Sequence, residues 1–201
     1  VIEGETTIKN KSFQDLRNVK RIYLPTTLQS IGHQSFENCS SLSEITIPDT
    51  VTTIGDNSFS KCSLLIEMII PESVHEIGNC TFDCCSNLRK IKLPSNILSI
   101  KSKTFNKCTS LTEIAISESV KTIENDAFNE CDSLIQITIH NSVTWIGQDA
   151  FNKCTKLIEV NLSNSLNQIE YDAFRDCQSL TEITIPNSVK QIGRYANHWL
   201  K

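Results

Sequence analysis

The chain has 201 residues, 39% hydrophobic and 21% charged, with a formal net charge of −4 at pH 7. That balance is too apolar for a disordered segment and gives no electrostatic case for nucleic acid or an anionic membrane surface. The longest apolar run, Leu64 to Ile70, is broken by Glu67 and falls far short of a bilayer span, so no membrane insertion is expected of this segment. The sequence has no initiating Met, basic leader or signal-like apolar stretch, and it begins and ends inside a repeat, which predicts a mature or excised piece of a longer protein.

All eight phenylalanines lie on one ladder with a spacing of 23: Phe13, Phe36, Phe59, Phe82, Phe105, Phe128, Phe151 and Phe174. Three residues after each Phe stands Leu16 in the first coil, then Cys39, Cys62, Cys85, Cys108, Cys131, Cys154 and Cys177. Six after comes a Leu, or Val19 in the first coil, and eighteen after comes an Ile in every coil, from Ile31 to Ile192. The unit reads F-x-x-C-x-x-L-x-x-I-x-I-P-x-S-V-x-x-I-G.

In chain order, each coil predicts the same elements. Phe, Cys and Leu at three-residue intervals fit a helical or 3₁₀ turn showing one face to a core. The I-x-I step, as in Ile45-Thr46-Ile47, has the in-and-out period of a strand. The five prolines, Pro25, Pro48, Pro71, Pro94 and Pro186, follow that strand directly, where a residue without an N–H ends ladder pairing. A second short extended segment, as in Val51 to Ile54, lies opposite the main sheet. Five of the six glycines come next, where a tight turn wants positive φ, although Lys101, Glu124 and Glu170 fill the same slot elsewhere.

One coil of 23 residues cannot bury its apolar set, whereas stacked coils can, because each column meets its copies above and below. No interior linker interrupts the repeat, so residues 1–201 are expected to form a single domain of about eight coils. At about 4.8 Å per strand the stack is a rod roughly 40 Å long.

The repeat resembles the BspA-type leucine-rich repeat, and the copy from Ala127-Phe128 to Ile146-Gly147 matches nearly every element, with His140 in place of Pro. The resemblance implies an α/β solenoid. It would be a right-handed leucine-rich-repeat stack with a parallel β-sheet on a concave face and short helical or 3₁₀ turns plus short extended segments on the other sides. It also implies a protein-binding module, cell-surface or secreted, adhering to host matrix or cell-surface protein. The alternatives are an intracellular, cytoplasmic scaffold or regulatory subunit, and a structural spacer.

No constellation points to catalysis, a metal or a cofactor. The four histidines, His33, His75, His140 and His198, fall in four different columns far apart along the rod. Seven of the nine cysteines belong to the ladder. Their spacing lies within disulfide range, but parallel in-register side chains suit the S–S dihedral poorly, so reduced buried thiols are expected. Cys80 and Cys84 stand off the ladder in columns otherwise held by Gln34, Asn57, Lys103, Asp126 or Asp15, Asn38, Lys61, Lys107, and are expected to be accessible.

Binding is expected on the outward strand positions, eight and ten residues after each Phe. Arg21, Tyr23, Glu44, Glu67, Ile69, Lys90, Lys92 and Glu113 lie in these columns, and Arg89 flanks them. Arg89, Lys90 and Lys92 make a basic patch in an otherwise acidic column, beside exposed Ile69 and Glu67, which suits a protein partner. Trp145 is a separate candidate hot spot, in a column otherwise holding Ser30, Thr53, Glu76, Ser99 and Thr122; the alternative is that its ring packs against a neighbouring turn. At the ends, Val1 to Ile8 fits the repeat loosely, and Asn197 replaces Phe beside Tyr195, Trp199 and Leu200. These read as a cap or a truncated ninth coil, and raw ends predict end-to-end self-association.

Overall fold

A computed structural model of the chain describes residues 5–195, so the proposed C-terminal cap around Asn197, Trp199 and Leu200 lies outside the described residues. The described chain is a solenoid of parallel strands in register every 23 residues. One set of strands comprises Arg21–Ile22, Glu44–Ile45, Glu67–Ile69, Lys90–Lys92, Gln136–Thr138 and Glu159–Asn161. These form three two-stranded ladders plus an isolated Lys90–Glu113 bridge, together called here the first sheet. The second set runs from Thr7–Ile8 to Gln191–Ile192 and forms a four-stranded and a five-stranded ladder, the second sheet.

The repeat columns meet as their spacing requires. Successive phenylalanine rings stack at centroid distances of 5.2 to 5.7 Å with interplanar angles of 2 to 16°. Phe36 to Phe174 are fully buried, and one apolar cluster runs without a break from Ile8 to Leu180. Each buried Phe, Leu or Ile contributes about 1.5–3 kcal/mol of transfer free energy.

The expected helical or 3₁₀ turns do not form, and the described residues contain no helix. The reason lies in where the N–H groups go. Gln34, Phe36 and Asn38 donate to the carbonyls of Asp56, Ser58 and Ser60 in the next coil, each at 2.8 Å, and the pattern recurs along the stack. A helix spends its N–H groups within itself; here every second one holds the neighbouring coil. The geometry requires left-handed backbone two residues before and two after the Phe, as at Gln34 (φ 56°) and Asn38 (φ 59°). Asn and Asp, which tolerate that region best, fill seven of the seventeen such positions.

The glycines answer to a different demand from the expected one: none of Gly32, Gly55, Gly78, Gly147 and Gly193 has a left-handed φ. A Cβ at Gly78 would lie 2.4 Å from Asp56 N and 2.6 Å from Gly55 C, so glycine here admits the backbone of the preceding coil. Where Lys101 takes the slot, the second sheet breaks between Glu76–Ile77 and Ser99–Ile100, and Lys101 Nζ bridges the gap to Glu76 Oε1 at 2.9 Å. Glu124 and Glu170 keep the ladder and use their carboxylates locally, Glu124 accepting from Ser99 Oγ at 2.8 Å and Ser102 N at 3.1 Å.

Candidate binding face

The first sheet presents its outward side chains because alternate residues of each short strand face opposite ways. In Glu67–Ile69, Lys90–Lys92, Gln136–Thr138 and Glu159–Asn161 the middle residue is buried and the outer two are exposed. Arg21 lies beside Glu44 across the first ladder. Glu67 lies beside Lys90, Ile69 beside Lys92, and Lys90 in turn beside Glu113. The structure therefore brings seven sequence-predicted residues into two neighbouring groups on one face, with Arg89 next to Lys90 and hydrogen-bonded through its N–H to Ile66 O at 2.8 Å. Tyr23, 81% exposed, extends the face toward its first coil, and Ile69 is 68% exposed.

Trp145 does not join them. It sits in the second sheet, paired between Thr122 and Gln168, half-buried, with Nε1 donating to Glu170 Oε1 at 3.4 Å. Its half-burial and its bond to Glu170 in the next coil are in keeping with packing against a neighbouring turn.

Two features of the face escaped the sequence reading. A shallow hollow of about 620 Å³ opens over Ala115, between Lys92 and Thr138, with Lys90, Glu113, Gln136 and His140 around it. Ala115 has the smallest side chain in its column, and that was the available signal. The second feature is apolar: besides Ile69 beside Lys92, Leu64 and Ile66 in the same coil are 46% and 48% exposed. At the border, Glu72 accepts from Ser95 N at 2.8 Å and Ser95 Oγ at 2.9 Å, and Lys92 Nζ lies 3.8 Å from Glu72 Oε1. The Ser95 N–H, then its hydroxyl, then the Lys92 ammonium hold the Glu72 carboxyl below its ordinary value.

All nine cysteines are unbonded. The seven ladder thiols are buried and each donates to the carbonyl of the Phe 26 residues earlier, at 3.1 to 3.2 Å. Burial pushes their pKa values up, that of Cys177 to about 12. Cys80 and Cys84 are half-buried at φ 54° and 59°, more open than the ladder thiols as their columns suggested. Among the described residues no group of three or more His, Cys, Asp or Glu side chains is arranged to hold a metal ion, and no helix is long and apolar enough to cross a membrane.

A solenoid with this repeat defines a class, the leucine-rich-repeat proteins. The chain belongs to the BspA-type leucine-rich repeat family, whose model matches residues 6–104 and 81–200. Its fold is similar to that of a leucine-rich repeat protein from Bacteroides ovatus (24% identity, 98% of this chain and 81% of that one, TM-score 0.52). It is likewise similar to the pneumococcal vaccine antigen PcpA (22%, 93% and 50%, TM-score 0.64). A third likeness is to the leucine-rich repeat protein of T. pallidum (24%, 90% and 75%, TM-score 0.60). At these identities the likeness fixes the fold. A search of curated proteins finds no match to this sequence.

Proposed function

We propose that this chain is a non-catalytic protein-recognition module that binds through the outward side chains of its first sheet, the face expected to be concave. One observation carries the reading: the buried columns repeat from coil to coil while the outward ones change, and they change most where Ile69 meets Lys92 and Glu67 meets Lys90. A scaffold built from repeated parts, with a varied, partly apolar and charge-bearing face, suits selection of a protein surface. The proposed contacts are Arg21, Tyr23, Glu44, Glu67, Ile69, Arg89, Lys90, Lys92 and Glu113. Display at a cell surface or after secretion, with a host-matrix or cell-surface partner, is the setting that family membership favours. The vaccine-antigen role of its structural relative PcpA is in keeping with it.

A photo-crosslinking amino acid at Ile69 should capture a partner from an extracellular-matrix preparation. The same group at Leu98, 63% exposed just before the second-sheet strand Ser99–Ile100, should not. Equal capture at both positions, or capture at Leu98 alone, removes the first sheet as the binding face.

A further inference from the structure

The first sheet carries a charge inversion and a missing side chain, and the two coincide. Eight residues after each Phe the column reads Arg21, Glu44, Glu67, Lys90, Glu113, Gln136, Glu159 and Glu182, so Lys90 is the one cation with carboxylates on both sides. Lys92 adds a second ammonium two residues on and Arg89 a guanidinium one residue before. In the next coil Ala115 leaves the hollow of about 620 Å³ between Lys92 and Thr138, and buried Ile114 and Ile116 line it. On the other side of Lys92 stands Ile69. Along the stack the order is therefore apolar, cationic, hollow.

We propose that this hollow is the docking position for an acidic segment of the partner protein, which seats an apolar side chain over Ala115 and sets carboxylates against Lys90, Lys92 and Arg89. The proposal rests on the recognition role given above and adds the chemistry of the bound segment. Charge complementarity selects the occupant and its place. Glu67 and Glu113 flank Lys90, and Glu72 lies 3.8 Å from Lys92, so a bound acidic segment takes the place of Glu72 at Lys92 and meets Arg89 and Lys90 from the outward side. Repulsion from Glu159 and Glu182, which have no cation beside them in their columns, disfavours an acidic segment there, whereas an apolar segment without charge has no such register. A second hollow of about 470 Å³ on the same face is bordered by Glu159 and Glu182. It is smaller and carries the opposite sign, and so serves as an internal control.

The test uses the whole chain, ¹⁵N-labelled, and three synthetic octapeptides: two leucines set among four glutamates and two serines, the same with lysine for glutamate, and the acidic one with serine for leucine. The acidic leucine peptide should shift the amides of Lys92, Ala115 and Thr138. Its affinity should fall at least tenfold in Lys90→Glu/Lys92→Glu, in Ala115→Trp and for the peptide without leucine, and should weaken with added salt. The substituted side chains are exposed, and unchanged circular dichroism confirms that each variant is folded. The lysine peptide should leave the Ala115 hollow alone and shift amides around Glu159 and Glu182. Equal binding of acidic and lysine peptides at the Ala115 hollow overturns the proposal, as does the absence of any shift there at millimolar acidic peptide. If Ile69 still captures a partner in the crosslinking experiment, recognition stands and only the acidic-segment assignment falls; if capture moves to Leu98, both fall.

Discussion

Each ladder cysteine has two tasks at once, and few other side chains could take both. Its sulfur fills a space with no exposure, and its S–H reaches the carbonyl of a Phe in the preceding coil, which also accepts the N–H of the Cys three residues beyond that Phe. A larger residue would force the coils apart, and a smaller one would leave a cavity beneath the ring stack. Burial keeps these thiols protonated, and the thiolate is the nucleophile, so they are inert in the folded chain. Cys80 and Cys84 differ in access: both are half-buried, with burial and then the Asp83 carboxylate raising their pKa values. Native-state titration with a chromogenic disulfide should therefore modify two thiols, slowly at pH 7 and faster as pH rises, with the other seven reacting on unfolding. Cys80→Asn/Cys84→Asn should abolish the native phase and keep the fold, since Asn57 and Asn38 hold the same left-handed positions in the preceding coils. Native modification of more than two thiols would show that the ladder opens.

The elements are short, most strands having two residues, so they are held by their neighbours rather than by their own length. Close approach at the glycine turn is part of that hold. Gly78→Ala would drive a Cβ to 2.4 Å from Asp56 N, a backbone atom that cannot swing away, and should cost about 1–3 kcal/mol in urea unfolding. Unchanged stability would show that the coil spacing relaxes freely. This element also marks the limit of what the sequence discloses. The Phe, Cys, Leu and Ile columns predicted the buried set because a 23-residue period leaves one in-register stacking. The alternation Glu67-Met68-Ile69 likewise predicted which side chains face out. The turn was misread because apolar residues three apart suit a helix and equally a loop whose N–H groups are given to the next coil. Only the destination of those hydrogen bonds, set by stacking, separates the two. The Ala115 hollow was opaque for a related reason: space above an alanine depends on residues one coil away.

At the scale of the whole molecule the core is one continuous column, and its stability carries a pH dependence that no single coil would show clearly. Cys62, Cys85, Cys108, Cys131, Cys154 and Cys177 all have pKa values raised by burial, Cys177 to about 12 and the others further. Unfolded, a thiol ionises near about 8.5. Because the folded value is the higher one, the folded state retains protons that the unfolded state releases. Stability is therefore unaffected below about pH 8 and falls as pH climbs through the window between the two values. Each thiol contributes a slope of roughly 1.4 kcal/mol per pH unit within that window. Six acting together exceed, within about two units, the 5–15 kcal/mol that typically holds a domain together. Urea unfolding followed from pH 7 to 10.5 should thus show a flat region and then a steep loss above about pH 9. Cys108→Val/Cys131→Val removes two of the six thiols and nearly preserves volume, so it should leave pH 7 stability within roughly 1.5 kcal/mol and lower the alkaline slope by about a third. An unchanged slope in that variant would remove the thiol column as the source of the alkaline transition.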